Sequence, residues 1–371
     1  MLKGTINALD KQFLGEIVNG LFPRGAHIVS DPEDVPPNER FWLVFGGSGL
    51  RWIIPQDSSM AIKVLRQWQP YSVLSFLSWK ALLASYCHGY IRYFPRVVGV
   101  GVSEITKENW GHAGWSGGTV THATYIGTDG PARKAVTTLV DAKTGVPCSV
   151  VKTPLTNLAS EKIIYEYDVL SHISANKKQI APKPIFINRE MGVSRQDYVE
   201  GFPTGRSFSK LHVRYLQKLK ESGGATSVRE QAERLTYDLL QANTVVDPLR
   251  NILIYRLSKL KSTTLLPSTI NHGDFVPWNI KKIDSDNLIA VDWEDAILEG
   301  LPFFDFFYFQ HFQNYLFGRN VKKVSYPQYG DTQFNDSIMK EIELFSLLAM
   351  VARISEHGRS MVYFEEKLRS L

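Results

Sequence analysis

Short apolar runs alternate with turn residues over the first part of the chain, a pattern typical of β-strands. Three of these runs lie at residues 41–45, 50–54 and 60–64. A longer apolar segment follows at 71–86, and its length predicts a helix. We therefore expect residues 1–97 to form a small α+β extension of their own, of unknown role.

A second β-rich stretch follows this extension. β-type runs at 121–126, 134–140 and 148–152 precede a segment, 158–173, whose apolar residues recur at helical spacing. The pattern predicts that residues 98–200 form a β-rich domain with one helix.

The remainder of the chain has a different periodicity. Helical spacing dominates at 207–221, 226–242 and 247–260, and loops that contain acidic residues interrupt this part. We expect residues 201–371 to form a mostly helical domain. The fold class predicted for the whole chain is therefore α+β.

Composition places the chain among ordinary globular proteins. It has 371 residues, of which 44% are apolar, so it can bury a sizeable core in two domains or in one large two-lobed domain. No basic segment followed by a long apolar one opens the sequence, so we expect no secretory signal. The apolar segment at 71–86 contains Lys80 and is too short for a membrane span.

Cysteine content and charge narrow the setting further. Cys87 and Cys148 are the only cysteines and lack metal-type spacing, which favours a reducing compartment and a cytoplasmic location. The net charge of +5 is mild, and its basic residues are spread over several predicted helices. We interpret them as solvated helix faces and expect no nucleic-acid partner.

Three polar residues in the last third of the chain point to chemistry. Asp274 lies five positions before Asn279, and Asp292 ends the apolar run 288–291. A carboxylate that takes a proton from a hydroxyl, together with an amide and a second carboxylate that hold Mg²⁺ on ATP, is the set that kinases use. The pattern therefore predicts a phosphoryl-transfer centre with ATP and Mg²⁺ as cofactors.

Each of these residues also has a simpler interpretation. Asp274 could cap a helix or turn, and its value as a catalytic base comes from its combination with Asn279 and Asp292 as Mg²⁺ ligands. His272, grouped with the catalytic loop, is expected to orient the loop backbone by hydrogen bonding. Glu294 could assist Mg²⁺ binding or contact the substrate.

A kinase also needs a lysine on a strand, paired with a glutamate on the next helix, to hold the α- and β-phosphates. Lys152 ends an apolar β-type run, and Glu166 lies on the following predicted helix. Glu161 is the competing partner, but it lies near the helix N-terminus, where an acidic residue often only compensates the helix dipole. We expect Lys152 to pair with Glu166.

The turn from Gly127 to Gly130, with Arg133 and Lys134 after it, could fold over the phosphates as a hairpin that offers backbone N–H groups. An ordinary β-hairpin turn explains the same residues equally well. The aromatic run 301–309 predicts a core helix, in which Asp305 would brace the catalytic loop.

With these residues in place, the chain resembles the aminoglycoside phosphotransferase and choline kinase family, which has a protein-kinase-like fold. The residues His-Gly-Asp-Phe-Val-Pro-Trp-Asn-Ile at 272–280 look like the family's catalytic loop. Val-Asp-Trp-Glu at 291–294 looks like its metal loop, and Gly-Leu-Pro-Phe-Phe-Asp at 300–305 like the segment that follows. The resemblance covers about residues 100–320.

The resemblance implies a two-lobed fold and the ATP-dependent phosphorylation of a hydroxyl on a small molecule, such as a sugar, a saccharide intermediate, an aminoglycoside or an amino alcohol. It implies that Tyr198, Val199 and Glu200 lie in the connection between the lobes, where backbone groups meet adenine. The alternative is a catalytically weak kinase-like module that binds a nucleotide or a partner protein. A protein kinase is disfavoured because Trp293 and Glu294 replace the Phe-Gly that follows the metal-binding aspartate there.

Overall fold

A computed structural model describes residues 14–15, 17–19, 21, 27–29, 31–46, 49–68, 70, 73–103, 107–176, 179–241, 245, 247–317 and 334–356. The chain divides into two compact units. Unit 1 consists of Met1–Lys177 and Pro182–Gly201, and unit 2 of Lys178–Ala181 and Phe202–Leu371. The parts of the predicted domains at 1–13, 318–333 and 357–371 lie outside the described residues.

Unit 1 contains a nine-stranded antiparallel sheet with the strand order β1-β4-β2-β3-β5-β6-β7-β9-β8. The strands are β1 (His27–Val29), β2 (Arg40–Gly46), β3 (Gly49–Pro55), β4 (Val97–Ser103), β5 (Val120–Ile126), β6 (Lys134–Asp141), β7 (Pro147–Pro154), β8 (Pro184–Asn188) and β9 (Val193–Asp197). The helices are α1 (Ser58–Gln67), α2 (Val73–Cys87) and α3 (Asn157–Ala175).

This sheet runs across the boundary expected at 97/98. β3, from the expected N-terminal extension, pairs with β5: Trp52 lies opposite Tyr125, and Ile53 opposite Thr124. Pairing of this kind satisfies backbone groups that the edge of β5 would otherwise leave exposed. Within the described residues, the extension therefore enlarges one continuous sheet and does not form a sheet of its own.

The prediction of a β-strand at 60–64 is wrong, because these residues lie in helix α1. Asp57 caps this helix: its carboxylate accepts a hydrogen bond from the backbone N–H of Ser59 at 2.9 Å. Ala61 and Val64 are buried and lie three positions apart, so they fall on one helical face. A short apolar run does not by itself distinguish a buried strand from a buried helix, and the cap decides here.

Helix α3 is the helix expected at 158–173, and it packs against β7, β8 and β9. It begins after Thr156, whose hydroxyl accepts a hydrogen bond from the backbone N–H of Ala159 at 3.2 Å. Ile163 and Glu166 are both buried. The second is a charged side chain in an otherwise apolar environment, which requires a partner.

Unit 2 contains two small antiparallel sheets and five helices among the residues that the structure describes. The strands are β10 (Phe202–Pro203), β11 (Lys220–Thr226), β12 (Leu266–Asn271), β13 (Ile280–Lys282), β14 (Leu288–Ala290) and β15 (Ile297–Gly300), in the orders β10-β13-β14 and β11-β12-β15. The helices are α4 (Lys210–Lys218), α5 (Val228–Gln241), α6 (Asp247–Leu257), α7 (Phe304–Phe317) and α8 (Asp336–Glu356).

The helix predicted at 207–221 is shorter in the structure. It ends at Lys218, and β11 follows and pairs with β12. Gly224 lies so close to β12 that a Cβ there would be 2.1 Å from the Ser268 hydroxyl. Glycine is poor in a helix and permits this close strand contact, which explains the early end of the helix.

The aromatic run forms a core helix, α7, as predicted. Phe306 and Phe309 are buried and contact the ring of Phe208 edge-on, with centroid distances of 5.1 and 5.3 Å. Phe309 also lies 6.1 Å from Phe275 in the loop after β12. This aromatic core supports the loops that carry the acidic residues. Over the described residues, no helix is both long enough and apolar enough to cross a membrane.

Candidate active site

The loop that carries Asp274 follows directly from β12 and returns through a short 3-10 turn, Pro277–Asn279, to β13. Gly273 adopts a φ of +79°, and a Cβ at this position would lie 1.8 Å from the carbonyl oxygen of Asp295. Only glycine combines this backbone angle with so close an approach. The loop is therefore packed against the segment that follows Asp292.

The Asp274 carboxylate is surrounded by three side chains. Asn279 Nδ2 donates to its Oδ2 at 2.9 Å, and the Tyr308 hydroxyl donates to its Oδ1 at 3.2 Å. Arg353 Nη2 lies 3.0 Å from Oδ2. Asp274 and Asn279, paired in the sequence analysis by their spacing, are thus in direct contact.

Backbone bonds bring the second acidic loop to the first. The N–H of Val291 donates to the carbonyl oxygen of Asn279 at 2.8 Å. Asp292 is therefore the next residue after this hydrogen bond between the two loops. Asp292 itself has a φ of +71°. A non-glycine residue in this region is uncommon, and such strain is concentrated at functional sites.

The donor set at these loops fits Mg²⁺. Because Asn279 Nδ2 donates to both the carboxylate and the backbone oxygen of Asp274, its Oδ1 is the atom suited to a cation. With Asp292 it supplies two oxygen ligands, and Mg²⁺ commonly completes such a set with water and phosphate oxygens. No group of three or more His, Cys, Asp or Glu side chains in the described ranges could hold a metal ion alone.

Glu294 lies two residues beyond Asp292, before β15, and is partly buried. Its charge is one of four that raise the pKa of the nearby Arg353 guanidinium, after Asp274, Asp295 and Tyr308. A contribution of Glu294 to cation or substrate binding stays a prediction.

His272 is fully buried, and both of its ring nitrogens meet backbone groups. Nε2 lies 3.0 Å from the carbonyl oxygen of Val291, and Nδ1 accepts from the N–H of Asp274 at 3.3 Å. Burial lowers the pKa of this imidazole, which favours a neutral ring with the hydrogen on Nε2. The ring therefore links the two acidic loops, and this geometry suits an orienting role.

Asp305, at the start of α7, braces the same loop. Its Oδ2 accepts from the N–H of His272 at 2.7 Å, and its Oδ1 accepts from the N–H of Gly273 at 3.2 Å. Burial raises the pKa of this carboxyl to about 7, against the two backbone donors, which lower it. The aromatic core thus holds the loop backbone through one carboxyl group.

Arg353, on α8, is a site residue that the sequence analysis missed, and Tyr308 and Asp295 are two others. Besides Asp274, Arg353 contacts Asp295 Oδ2 at 2.5 Å and donates from Nη1 to the carbonyl oxygen of Gly273 at 3.2 Å. Burial alone would lower the pKa of the guanidinium, but the two carboxylates outweigh it and raise the pKa well above its ordinary value. The sequence does contain a signal that could have indicated it, because Arg353 is the only charged residue between Glu343 and Glu356.

Unit 1 contains the expected lysine–glutamate pair. Lys152, on β7, lies 2.7 and 2.6 Å from the two carboxylate oxygens of Glu166 on α3. Both side chains are almost fully buried, at 4% and 1% exposure. Glu161, the competing partner, is exposed. Burial of a charged pair with this geometry holds the ammonium group in one place on the sheet.

The segment from Gly127 to Gly130 forms the turn between β5 and β6, so the expected hairpin is present. The N–H of Gly127 donates to the carbonyl oxygen of Lys134 at 2.9 Å, and Arg133 forms an ion pair with Asp129. These contacts close the hairpin on itself. Its role in covering phosphates stays a prediction.

Tyr198, Val199 and Glu200 follow β9 without regular secondary structure. Val199 is buried, whereas Glu200 is exposed. Burial, together with the charge of Glu200, raises the pKa of the Tyr198 hydroxyl. These three residues end unit 1 at the point where the resemblance implies a connection, and adenine binding there stays a prediction.

Comparison with known proteins gives likenesses of structure only. No protein-family model and no curated protein matches the chain. A solved structure of an aminoglycoside phosphotransferase homologue from Ralstonia eutropha JMP134 is 15% identical, with a TM-score of 0.44 over 66% of this chain and 85% of that one. Choline kinase LicA from Streptococcus pneumoniae is 14% identical, with a TM-score of 0.44 over 64% and 87%.

A third solved structure is a ternary complex of streptomycin, ATP and the phosphotransferase APH(2")-IIa. It is 12% identical, with a TM-score of 0.39 over 67% of this chain and 91% of that one. At such identities and scores, these likenesses establish neither the family nor the activity of the chain. The residues of the site have to carry the functional conclusion.

Proposed function

We propose that the protein is an ATP- and Mg²⁺-dependent phosphotransferase that phosphorylates a hydroxyl group of a small molecule. The contact between Asp274 and Asn279, joined by a backbone bond to the loop of Asp292, carries this proposal. A carboxylate, an amide oxygen and a second carboxylate on adjoining loops are the groups that proton removal and phosphate-bound Mg²⁺ require.

In this proposal, Asp274 accepts the proton of the acceptor hydroxyl as the hydroxyl oxygen attacks the γ-phosphorus of ATP. The bond from the γ-phosphorus to the β,γ-bridging oxygen breaks, and ADP leaves. Tyr308 and Asn279 hold the carboxylate in one orientation, so it does not need to reorganise during the transfer. Asn279 Oδ1 and Asp292 would hold Mg²⁺. When bound, the ion would neutralise the charge on the phosphate oxygens.

Lys152, in unit 1, would bind the α- and β-phosphates of ATP. Its two short contacts with Glu166 fix the position of the ammonium group. The buried pair explains how a strand lysine, an ordinary surface residue elsewhere, acquires a defined position.

The test measures ATP consumption with a panel of hydroxyl compounds, comprising sugars, saccharides, aminoglycosides and amino alcohols. We expect at least one acceptor to stimulate turnover, and Asp274→Ala to lower kcat by about 10²- to 10⁴-fold. ATP binding, measured by calorimetry with Mg²⁺, should be largely retained in that variant. Full activity of Asp274→Ala would exclude this carboxylate as the base.

A further inference from the structure

Arg353 lies outside every segment that carries the motif resemblance, yet it meets the catalytic loop at two points. Its guanidinium contacts the Asp274 carboxylate at 3.0 Å and the Gly273 carbonyl oxygen at 3.2 Å. A third contact, at 2.5 Å, goes to Asp295. One side chain of α8 therefore binds the proposed base, the backbone beside it and the segment beyond the metal loop.

The chemistry of the guanidinium suits this task. Its planar fork presents donors in fixed directions, so it constrains the orientation of the group it binds, unlike the point charge of a lysine. The Asp274 carboxylate also receives Tyr308 on Oδ1 and Asn279 on Oδ2. With Arg353 on Oδ2, rotation of the carboxylate would break contacts at both oxygens.

Asp295 keeps Arg353 itself in place. The backbone of Asp295 also packs against Gly273, so closely that it leaves no room for a Cβ on Gly273. Asp295 and Asp274 have side-chain exposures of 18% and 14%, and that of Arg353 is 18%. Two partly buried carboxylates thus share the Arg353 guanidinium, which holds the two loops together.

We propose that Arg353 is a positioning residue that fixes the Asp274 carboxylate relative to the acceptor hydroxyl, with Asp295 as the residue that orients the guanidinium. This inference rests on the proposed phosphotransferase function. A displacement of about 1 Å in a catalytic group can lower a rate by about 10²-fold. Loss of Arg353 should therefore affect the transfer step and leave nucleotide binding nearly unchanged.

The experiment compares Arg353→Ala, Arg353→Lys and Asp295→Asn with the unaltered protein. The reaction is phosphate release from ATP with Mg²⁺, with water as the acceptor, and with any acceptor that the panel identifies. We expect Arg353→Ala to lower kcat by about 10²-fold and to change the KM for ATP by less than about threefold. Arg353→Lys and Asp295→Asn should lose less, about tenfold, because each retains part of the network.

Arg234→Ala serves as the matched control, because this arginine forms an exposed pair with Glu230 on α5 at 2.7 Å. Its kcat should be unchanged. Guanidinium chloride at millimolar concentration should restore part of the activity of Arg353→Ala and have no such effect on Asp274→Ala. A purely structural role would give no rescue in a protein that is already folded.

Folding is checked by circular dichroism and thermal unfolding of each variant. If Arg353→Ala does not fold, Arg353→Lys decides, and a folded Lys variant with kcat within about twofold of the unaltered protein overturns the role of Arg353. Equal losses in kcat and in ATP affinity would also overturn it. If the unaltered protein transfers phosphate to no acceptor, water included, the proposed function itself fails.

Discussion

Two clusters of charged side chains, one in each unit, differ in how far they are exposed to solvent. In unit 1, Lys152 and Glu166 form an ion pair whose side chains are at most 4% exposed. In unit 2, Arg353 is shared by Asp274 and Asp295, and all three side chains are between 14% and 18% exposed. The first cluster is almost completely shielded from water, whereas water can reach the second.

This difference teaches how the same ionic chemistry serves two tasks. A buried ion pair fixes a cation, and its desolvation cost is tolerable only while both partners are present. A shared and partly open cluster holds a carboxylate that still has to meet a substrate. The two clusters should therefore respond differently when they are broken: loss of the first should lower stability as well as activity, and loss of the second should lower mainly activity.

The largest expected effect concerns the open cluster. Asp274→Asn is nearly isosteric and keeps an acceptor oxygen, but it removes the base, so we expect kcat to fall by about 10²- to 10⁴-fold. Steady-state phosphate release measures this loss. Unfolding by urea should show a change in stability that is small by comparison.

Asp286→Asn is the control for that substitution, because Asp286 forms an exposed ion pair with Arg214 at 2.9 Å. Its activity should equal that of the unaltered protein. A large loss of stability in Asp274→Asn, with activity per folded molecule preserved, would reverse the contrast between the two clusters.

Breaking the buried pair should also affect stability. Lys152→Met leaves Glu166 charged and buried, and removal of one partner from a buried pair costs about 3–5 kcal/mol. Chemical unfolding of the variant measures this. The double variant Lys152→Met with Glu166→Leu should recover much of the loss without recovering activity, because no ammonium group remains for the phosphates.

Equal destabilisation by the single and double variants would show that the pair is not the unit of stability in this part of the sheet. Glu161→Gln is the matched control, since Glu161 is exposed on the same helix. It should change the free energy of unfolding by less than about 0.5 kcal/mol.

A smaller effect is expected at the brace between the core helix and the catalytic loop. Asp305→Ala removes the acceptors of two backbone N–H groups, those of His272 and Gly273. Each lost bond to an ionisable group is worth about 1.5–3 kcal/mol, with some recovery by water. Thermal unfolding and kcat should both decline, and a decline in neither would show that the aromatic core holds the loop without this carboxyl.

The smallest effect, taken over one pH unit, is a dependence of the free energy of unfolding on pH. The pKa of Asp305 is about 7 in the folded protein, against an ordinary value of 3.8. Between these values the folded state binds a proton that the unfolded state has lost, so the free energy of unfolding should fall as pH rises from about 4 to 7. The fall from one proton is at most about 1.4 kcal/mol per pH unit.

Other groups titrate in the same range, so the measurement is the difference between the unaltered protein and Asp305→Asn. The asparagine carries no titrating proton, and the difference should shrink or change sign as pH rises. A difference that stays constant between pH 5 and 8 would indicate that the two backbone donors outweigh burial and keep Asp305 ionised throughout.

The sequence by itself determined the local features of both clusters. Strand β7 and helix α3 follow one another, and their apolar patterns, with the place of Glu166 along its helix, identified Lys152 and Glu166, which are 14 positions apart. Asp274 and Asn279 lie within one loop, and the apolar run before Asp292 identified a strand. Contacts between residues close in sequence can be predicted from their spacing, because a strand or helix of known geometry connects them.

Only the tertiary structure decided which distant residues complete the site. Arg353 lies 79 positions from Asp274 by their numbers, and no periodicity of α8 indicates which loop its guanidinium meets. The nine-stranded sheet could not be predicted from the sequence either, because the pairing of β3 with β5 depends on backbone groups that every residue has. Long-range contacts of this kind follow from how elements pack, which the order of residues along the chain does not express.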